Sequence, residues 1–157
     1  MSQDRPGRLR QAEPGDAAQL LALWQQLFDE MFAEIPRTWQ QPALDWFIGA
    51  VGKPRSVRIP VIEVGGQLVA SAVGAVELHV PNPMSLTGRA VRLANVFTLA
   101  DHRGLGYATE LISDVICWAR EIAADRIDLS ATEQGRRIYQ RLGFQPTTAP
   151  RMKLVLS

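Results

Sequence analysis

The segment from His102 to Ala108 combines residue types that bind anions. It reads His-Arg-Gly-Leu-Gly-Tyr-Ala, and an apolar helical pattern follows it at once. A glycine-rich turn that opens a helix directs several backbone N–H groups, and the positive end of the helix dipole, at one point. Gly104 and Gly106 have no side chain to block a ligand, and Arg103 adds a fixed positive charge. The segment therefore predicts an anion site suited to a diphosphate.

Two common phosphate-binding loops do not match this segment. A nucleotide-hydrolase loop needs a lysine followed by Ser or Thr after its second glycine, and none is present. A dinucleotide fold needs Gly or Ala where Thr109 stands, an acidic residue at the end of the next strand, and a parallel sheet that begins at this turn. Asp128 lies too far inside the next strand, and the preceding strands have antiparallel patterns. From this segment alone, a structural turn that binds no ligand remains the alternative.

The elements that position this turn begin with a strand and two amphipathic helices. Alternation predicts a short strand over Leu9–Ala12, and Asp16 is a good N-cap for a helix that continues to about Met31. A second helix is predicted over about Pro42–Val51, with its packing residues at Leu44, Trp46, Phe47 and Ile48. The aromatic residues of both helices are interpreted as core.

An antiparallel meander follows the two helices. Period-two patterns with β-branched residues predict strands over Ile59–Val64, Leu68–Val80 and Arg89–Thr98. The pair Gly65–Gly66 between the first two runs predicts a tight hairpin. The sequence Pro-Asn-Pro at 81–83 predicts the loop before the third run, because proline cannot join the interior of a ladder.

After the turn, the chain returns to a pattern typical of a parallel crossover. Helical periodicity extends from Ala108 to Ala123, and a short strand is predicted over Arg126–Ser130. A short helix is predicted from Thr132 through Arg141, and a last strand over Met152–Leu156. That last apolar strand either pairs with a second copy in a homodimer or is covered within the chain.

Composition limits the classes of function. The chain has 157 residues, 46% of them hydrophobic, and a formal net charge of +1, which predicts one domain over residues 1–157 and gives no basic surface for nucleic acid. We find no sequence long and apolar enough for a membrane span and no signal peptide. The single cysteine, Cys117, excludes an internal disulfide and gives no zinc spacing, so we expect a cytoplasmic protein without a metal.

Two motifs carry a resemblance to a known family. Arg103, Gly106 and Ala108 match the pattern Arg/Gln-X-X-Gly-X-Gly/Ala, which resembles the acyl-CoA-binding motif of the GNAT N-acetyltransferase superfamily. Downstream, residues 135–144 read Gly-Arg-Arg-Ile-Tyr-Gln-Arg-Leu-Gly-Phe and are similar to that family's later tyrosine-bearing helix. The resemblance is clear over about Leu68–Phe144. It implies an α/β fold with a mixed central sheet of about six or seven strands, antiparallel in its first half, flanked by about four helices and splayed between the fourth and fifth strands.

The resemblance also implies the site residues. The backbone of Val96, Phe97 and Thr98, at the end of the fourth strand, would bind the pantetheine arm of acetyl-CoA. Thr132 falls where relatives have an asparagine that touches CoA, and Tyr139 aligns with the tyrosine that protonates the leaving thiolate. The diphosphate would lie in the segment made of Arg103, Gly104, Leu105, Gly106, Tyr107, Ala108 and Thr109.

By the same resemblance, the reaction would be acetyl transfer from acetyl-CoA to a primary amine, a small molecule or a peptide, by direct attack in a ternary complex. A phenol near the departing sulfur can protonate it, which gives Tyr139 a physical role. The fourth strand has no carboxylate, so the general base stays open among Asn95 acting through water, Glu77 and Glu133. The alternative is a non-catalytic acyl-CoA-binding or sensor module of the same fold.

Overall fold

A computed structural model describes residues 6–156 and contains a mixed sheet of six strands. The sheet has the order β1-β3-β4-β5-β6, and β2 pairs with the far half of β4. The elements, in chain order, are β1 (Arg8–Gln11), α1 (Ala17–Met31), α2 (Gln40–Val51), β2 (Val57–Arg58), β3 (Pro60–Val64), β4 (Gln67–Leu78), β5 (Arg89–Thr98), α3 (Tyr107–Glu121), β6 (Arg126–Asp128) and α4 (Arg136–Arg141).

The predicted meander is confirmed, because β1, β3, β4 and β5 pair in antiparallel order. Gly65 and Gly66 form the hairpin turn between β3 and β4 with φ values of +56° and +83°, which glycine adopts without the strain that a Cβ adds. The parallel crossover is confirmed as well, since β6 pairs parallel to β5. The mixed sheet and its flanking helices thus agree with the predicted fold class.

Each face of the sheet has its own hydrophobic core. On one face α1 and α2 pack on the sheet through a cluster that includes Leu20, Phe47 and Phe97. On the other face α3 buries a stripe that includes Leu111, Ile112 and Val115, as the helical periodicity predicts. Each large aliphatic side chain buried in these clusters contributes about 1.5–3 kcal/mol to folding.

A glycine on β4 sets the distance between α3 and the sheet. A Cβ built on Gly74 would lie 2.9 Å from Val115 Cγ1 and 3.4 Å from Trp118, both on α3. Trp118 in turn donates its indole N–H to the carbonyl oxygen of Pro54 at 3.0 Å. The Arg58 guanidinium of β2 holds Asp114 of α3 through two hydrogen bonds of 2.9 Å. The helix that follows the glycine turn is therefore held at several points along its length.

Several predictions about the N-terminal elements were wrong in detail. Asp16 does not cap α1 with its side chain: its carboxylate accepts hydrogen bonds from the backbone N–H of Glu13 at 2.7 Å and from the Arg10 guanidinium at 2.7 and 3.0 Å. The Arg10 hydrogen bond lowers the pKa of the Asp16 carboxyl. Trp46 and Ile48, predicted to pack, are 45% and 53% exposed, because α2 covers the sheet mainly through Phe47 and Ala50.

The predicted last strand was also wrong. No residue of the segment 152–156 belongs to a strand, and Met152, Leu154, Val155 and Leu156 are 78–91% exposed. The alternation of apolar residues that predicted a strand is present, but nothing in residues 6–156 pairs with it.

Candidate active site

The sheet opens beside the end of β5. β6 pairs with β5 only at Ala90, Val91 and Arg92, so the remaining half of β5 has no neighbour on that side within the described residues. Leu99 N–H points towards β4, where it donates to Val69 O at 2.8 Å. The N–H groups of successive residues in a strand point alternately to its two sides. The amides of Val96 and Thr98 therefore face the opening. This is the predicted splay between the fourth and fifth major strands, Arg89–Thr98 and Arg126–Ser130, and it is confirmed.

A β-bulge lies where the opening begins. Ser71 of β4 is opposite Phe97, but Val73 is opposite Ala94, so β5 has one extra residue in this interval. Asn95, inside it, has a φ of +53°, in the left-handed region that asparagine tolerates better than most residues. A bulge bends its strand and increases the local twist, which accounts for the divergence of β5 from β6. Apart from the residue type of Asn95, no local sequence pattern indicates the bulge.

The glycine turn leads directly from this opening into α3. Gly104 and Gly106 have φ values of +80° and +83°, and a Cβ built on Gly104 would meet no atom within 4 Å. Thus the side of Gly104 where a side chain would project is open space. The N–H groups of Tyr107, Ala108 and Thr109 form the first turn of α3 and have no acceptor within the helix. Together these features can hold an anion.

Two side chains of this segment contribute to the hydrophobic core. The Tyr107 side chain is 1% exposed and lies in the core, and Leu105 is half-buried against the same cluster. The two residues therefore offer an anion only their backbone. The Tyr107 hydroxyl is buried without a hydrogen-bond partner among the described residues.

Arg103 is the residue whose environment differs most from its prediction. Its guanidinium donates to both carboxylate oxygens of Glu30, at 2.9 and 2.8 Å, and its Nε donates to Thr98 O at 2.9 Å. The guanidinium carbon also lies 5.5 Å from the centre of the Phe97 ring. Arg103 therefore links the end of α1 to the end of β5, and Glu30 balances its charge. The sequence did not reveal this pair, because Glu30 lies 73 residues away along the chain.

Tyr139 and Thr132 lie together on the other side of the opening. They line a cavity of about 290 Å³ with Glu133 and Phe144. Tyr139 is half-buried, its ring meets Phe144 edge-on at 5.8 Å, and burial raises the pKa of its phenol above the ordinary value. The phenol is therefore protonated at neutral pH. The Thr132 hydroxyl accepts a hydrogen bond from Gly135 N–H at 3.1 Å, so it stabilises the entry to α4.

The three candidate bases lie in different environments. Glu77 faces Arg92 at 3.3 Å and His79 at 3.7 Å, and it is opposite Ala90, near the far end of β5 from the opening. Asn95 is in the bulge. Glu133 is the carboxylate that lines the cavity of Tyr139. Within residues 6–156 no cluster of three His, Cys, Asp or Glu side chains could hold a metal ion, and no helix is long and apolar enough to cross a membrane.

The fold agrees with the comparisons to known proteins. A model of the acetyltransferase (GNAT) family matches residues 21–144. A protein from Clostridium acetobutylicum described as a predicted acetyltransferase, whose crystal structure contains acetyl-CoA, is 26% identical over 95% of this chain and 96% of its own, with a TM-score of 0.84.

Two further solved structures are more distant and show the fold alone. A GCN5-related N-acetyltransferase from Ralstonia eutropha JMP134 is 23% identical, with 94% and 98% of the two chains covered and a TM-score of 0.79. Glucosamine-6-phosphate N-acetyltransferase from Arabidopsis thaliana is 16% identical, with 96% and 99% covered and a TM-score of 0.77. None of the curated proteins matches the chain.

Proposed function

Because the chain belongs to the acetyltransferase (GNAT) family, we propose that it transfers an acetyl group from acetyl-CoA to a primary amine by direct attack in a ternary complex. The observation that carries the proposal is the continuity of two sets of backbone N–H groups. The amides of Val96 and Thr98 face the opening beside β5, and the first-turn amides of α3 follow after the glycine turn. A long ligand with a diphosphate at one end of an amide-bearing arm fits this arrangement.

Different residues of the site would bind different parts of acetyl-CoA. The amides of residues 104–109 would hold the diphosphate, where Gly104 leaves room for it and the helix dipole favours its charge. Val96 and Thr98 would pair with the pantetheine arm, and Phe97 between them packs its ring under Arg103. Arg103 supports the turn through Thr98 and Glu30 and is a positioning residue. Thr132 contributes from the opposite side.

Bound acetyl-CoA supplies an acetyl group activated as a thioester. The amine nitrogen forms a bond to the acetyl carbon, the carbon–sulfur bond breaks, and its electron pair stays on the sulfur. Tyr139 donates its phenolic proton to that sulfur, and a raised pKa keeps the phenol protonated for this step. The amine loses a proton to water or to Glu133, the carboxylate that shares the cavity with Tyr139.

The first experiment is calorimetric titration with acetyl-CoA of the wild type, Gly104→Val and Gly66→Val. Both glycines have a φ near +80°, and a Cβ on either meets nothing within 4 Å, so the two variants carry the same backbone strain. Only Gly104 is in the glycine turn before α3, whereas Gly66 is in the hairpin between β3 and β4. We expect micromolar affinity that is lost in Gly104→Val and kept in Gly66→Val. A folded wild type without affinity for acetyl-CoA would refute the proposal.

A second candidate function, a non-catalytic acyl-CoA sensor, is favoured by one observation. Strand β5 has no carboxylate, and Glu77 on the neighbouring strand is engaged by Arg92 and His79. The two functions differ in turnover. Thioester cleavage that requires an amine supports the enzyme, whereas tight binding without cleavage across small amines, polyamines and peptide N-termini supports the sensor.

The cellular compartment of the protein is also a proposal. Cys117 is exposed and unpaired, which supports a reducing compartment, and we propose the cytoplasm.

A further inference from the structure

The ion pair between Arg103 and Glu30 joins the last turn of α1 to the end of β5. The two side chains are 47% and 44% exposed, and Glu30 is one residue before the end of α1. Arg103 Nη2 donates to both carboxylate oxygens of Glu30, and Nε donates to Thr98 O. The guanidinium also lies over the ring of Phe97. Arg103 is therefore held in one orientation, although a half-exposed arginine without such contacts keeps much of its rotamer freedom.

Arg103 contacts Thr98 on the side of the opening. The N–H and C=O groups of one residue in an antiparallel strand point to the same side of the strand. Since Leu99 N–H donates to Val69 O on β4, the N–H and the C=O of Thr98 both point away from β4 and towards the opening. Arg103 Nε bonds that carbonyl oxygen at 2.9 Å. Arg103 thus holds the backbone of a residue whose N–H group faces the opening.

Strand pairing alone holds this end of β5 from one side. Within residues 6–156, β6 pairs with β5 only as far as Arg92, and the bulge interrupts the pairing of β5 with β4. Thr98 is the last residue of β5. A strand end with few partners opens locally more easily than a strand paired on both sides. Arg103, fixed by Glu30, supplies the second attachment from α1.

We propose that Glu30 is a positioning residue for the cofactor: it keeps Arg103 on Thr98 O and so keeps Thr98 N–H in place for the pantetheine arm. This inference rests on the proposed function, because it concerns the same bound acetyl-CoA. Glu30 acts through Arg103 and not on the ligand. A carboxylate near a diphosphate repels it, so the effect of the charge of Glu30 and the effect of its contact with Arg103 have opposite signs. Removal of the carboxylate distinguishes them.

The test is calorimetric titration of Glu30→Gln with two probes. One is acetyl-CoA, and the other is 3′-phospho-ADP, which has the diphosphate but no pantetheine arm. We expect Glu30→Gln to bind acetyl-CoA about three- to fivefold more weakly than the wild type, as the loss of a half-exposed ion pair predicts. It should bind 3′-phospho-ADP no more weakly than the wild type. The matched control is Glu34→Gln, since Glu34 is exposed and has no ion pair among residues 6–156, and it should weaken neither ligand.

The other outcomes contradict the positioning role. Tighter binding of acetyl-CoA by Glu30→Gln would show that Glu30 competes with the diphosphate for Arg103. Unchanged affinity would show that Arg103 holds Thr98 without Glu30, and equal weakening of both ligands would show a general disturbance of the site. All three leave the proposed function intact. A folded wild type that does not bind acetyl-CoA would overturn the proposed function and this inference together.

Arg103→Lys tests whether Glu30 acts through Arg103. Lysine keeps the positive charge beside Glu30, but its single nitrogen cannot replace the fixed fork of a guanidinium between Glu30 and Thr98 O. We expect Arg103→Lys to weaken the binding of acetyl-CoA at least as much as Glu30→Gln does. Adding Glu30→Gln to Arg103→Lys should lower the affinity by less than about twofold more, because residues that act through one contact are not additive. Additive losses would overturn the route through Arg103.

The same link predicts an effect of the ligand on α1, because coupling between two sites is reciprocal. Phe32 N–H donates to Phe28 O at 2.9 Å and closes the last turn of α1. A ligand that restrains Thr98 also restrains Arg103 and Glu30. We expect acetyl-CoA to slow hydrogen exchange of the Phe32 amide in the wild type and to have no effect on it in Glu30→Gln. The same response in both proteins would overturn the link.

Discussion

The two sides of the opening in the sheet are built differently. On one side stand the ten-residue β5 and the fifteen-residue α3, which buries six residues, Leu111 among them. On the other side stand the three-residue β6 and the six-residue α4, which has no buried residue, beside two cavities. The well-packed side presents backbone N–H groups, and the less packed side presents Tyr139. Backbone amides held in a well-packed element suit a ligand that does not change, such as acetyl-CoA, whereas the less packed side leaves room for an acceptor.

The largest effect that separates the two sides is expected from the two tyrosines. Tyr139→Phe should lower kcat by about 10²–10⁴-fold, because it removes the proton donor that we propose for the departing sulfur, and it should leave the affinity for acetyl-CoA unchanged. Tyr107→Phe, on the packed side, removes a buried hydroxyl without a partner and leaves the backbone N–H in place. We expect it to keep kcat and to preserve or slightly increase the free energy of unfolding. Steady-state kinetics measures kcat of both variants, and calorimetry measures their affinity for acetyl-CoA. Equal losses of kcat in the two variants would contradict the difference between the two sides of the opening.

A pair of leucines tests the difference in packing. Leu111 on α3 is 0% exposed, so Leu111→Ala should lower the free energy of unfolding by about 2–5 kcal/mol. Leu142, at the end of α4, is only half-buried, and Leu142→Ala should cost about 1 kcal/mol, since less apolar surface and a smaller cavity are involved. Urea denaturation of both variants measures the contrast. Similar losses would show that the β6 side is packed as well as the α3 side.

The smallest effect concerns alkaline pH. Burial raises the pKa of Tyr139 in the folded chain, so between the unfolded value of about 10 and the folded value the folded state binds more protons. This contribution to stability is therefore complete below pH 10 and is lost as the pH rises through the folded pKa. Wild type should lose stability faster above pH 10 than Tyr139→Phe does. Denaturation curves at pH 8 to 11 that stay parallel for the two proteins would contradict the burial of the phenol.

Local sequence was enough to predict the glycine turn and most of the helices and strands, but not the contacts between residues that are distant in the sequence. The glycine turn, the hairpin at Gly65–Gly66 and α3 follow from residue types and periodicity, which act over a few residues. The splay came from the family resemblance. The Arg103–Glu30 pair, the Asn95 bulge and the free segment 152–156 depend on which elements meet in space, and no local pattern records that.

The missing side chain at Gly74 has a consequence far from its own position. Val115 lies against it, and Val115 is eight residues, or roughly 12 Å of helix, from the first residue of α3. Even a methyl group at Gly74 would force the Val115 side chain to shift, and a rigid helix that moves with Val115 would carry the shift to its first turn. Substitutions at Gly74 should therefore alter ligand affinity before they abolish folding, so selection on a small molecule can act on a residue that never touches it.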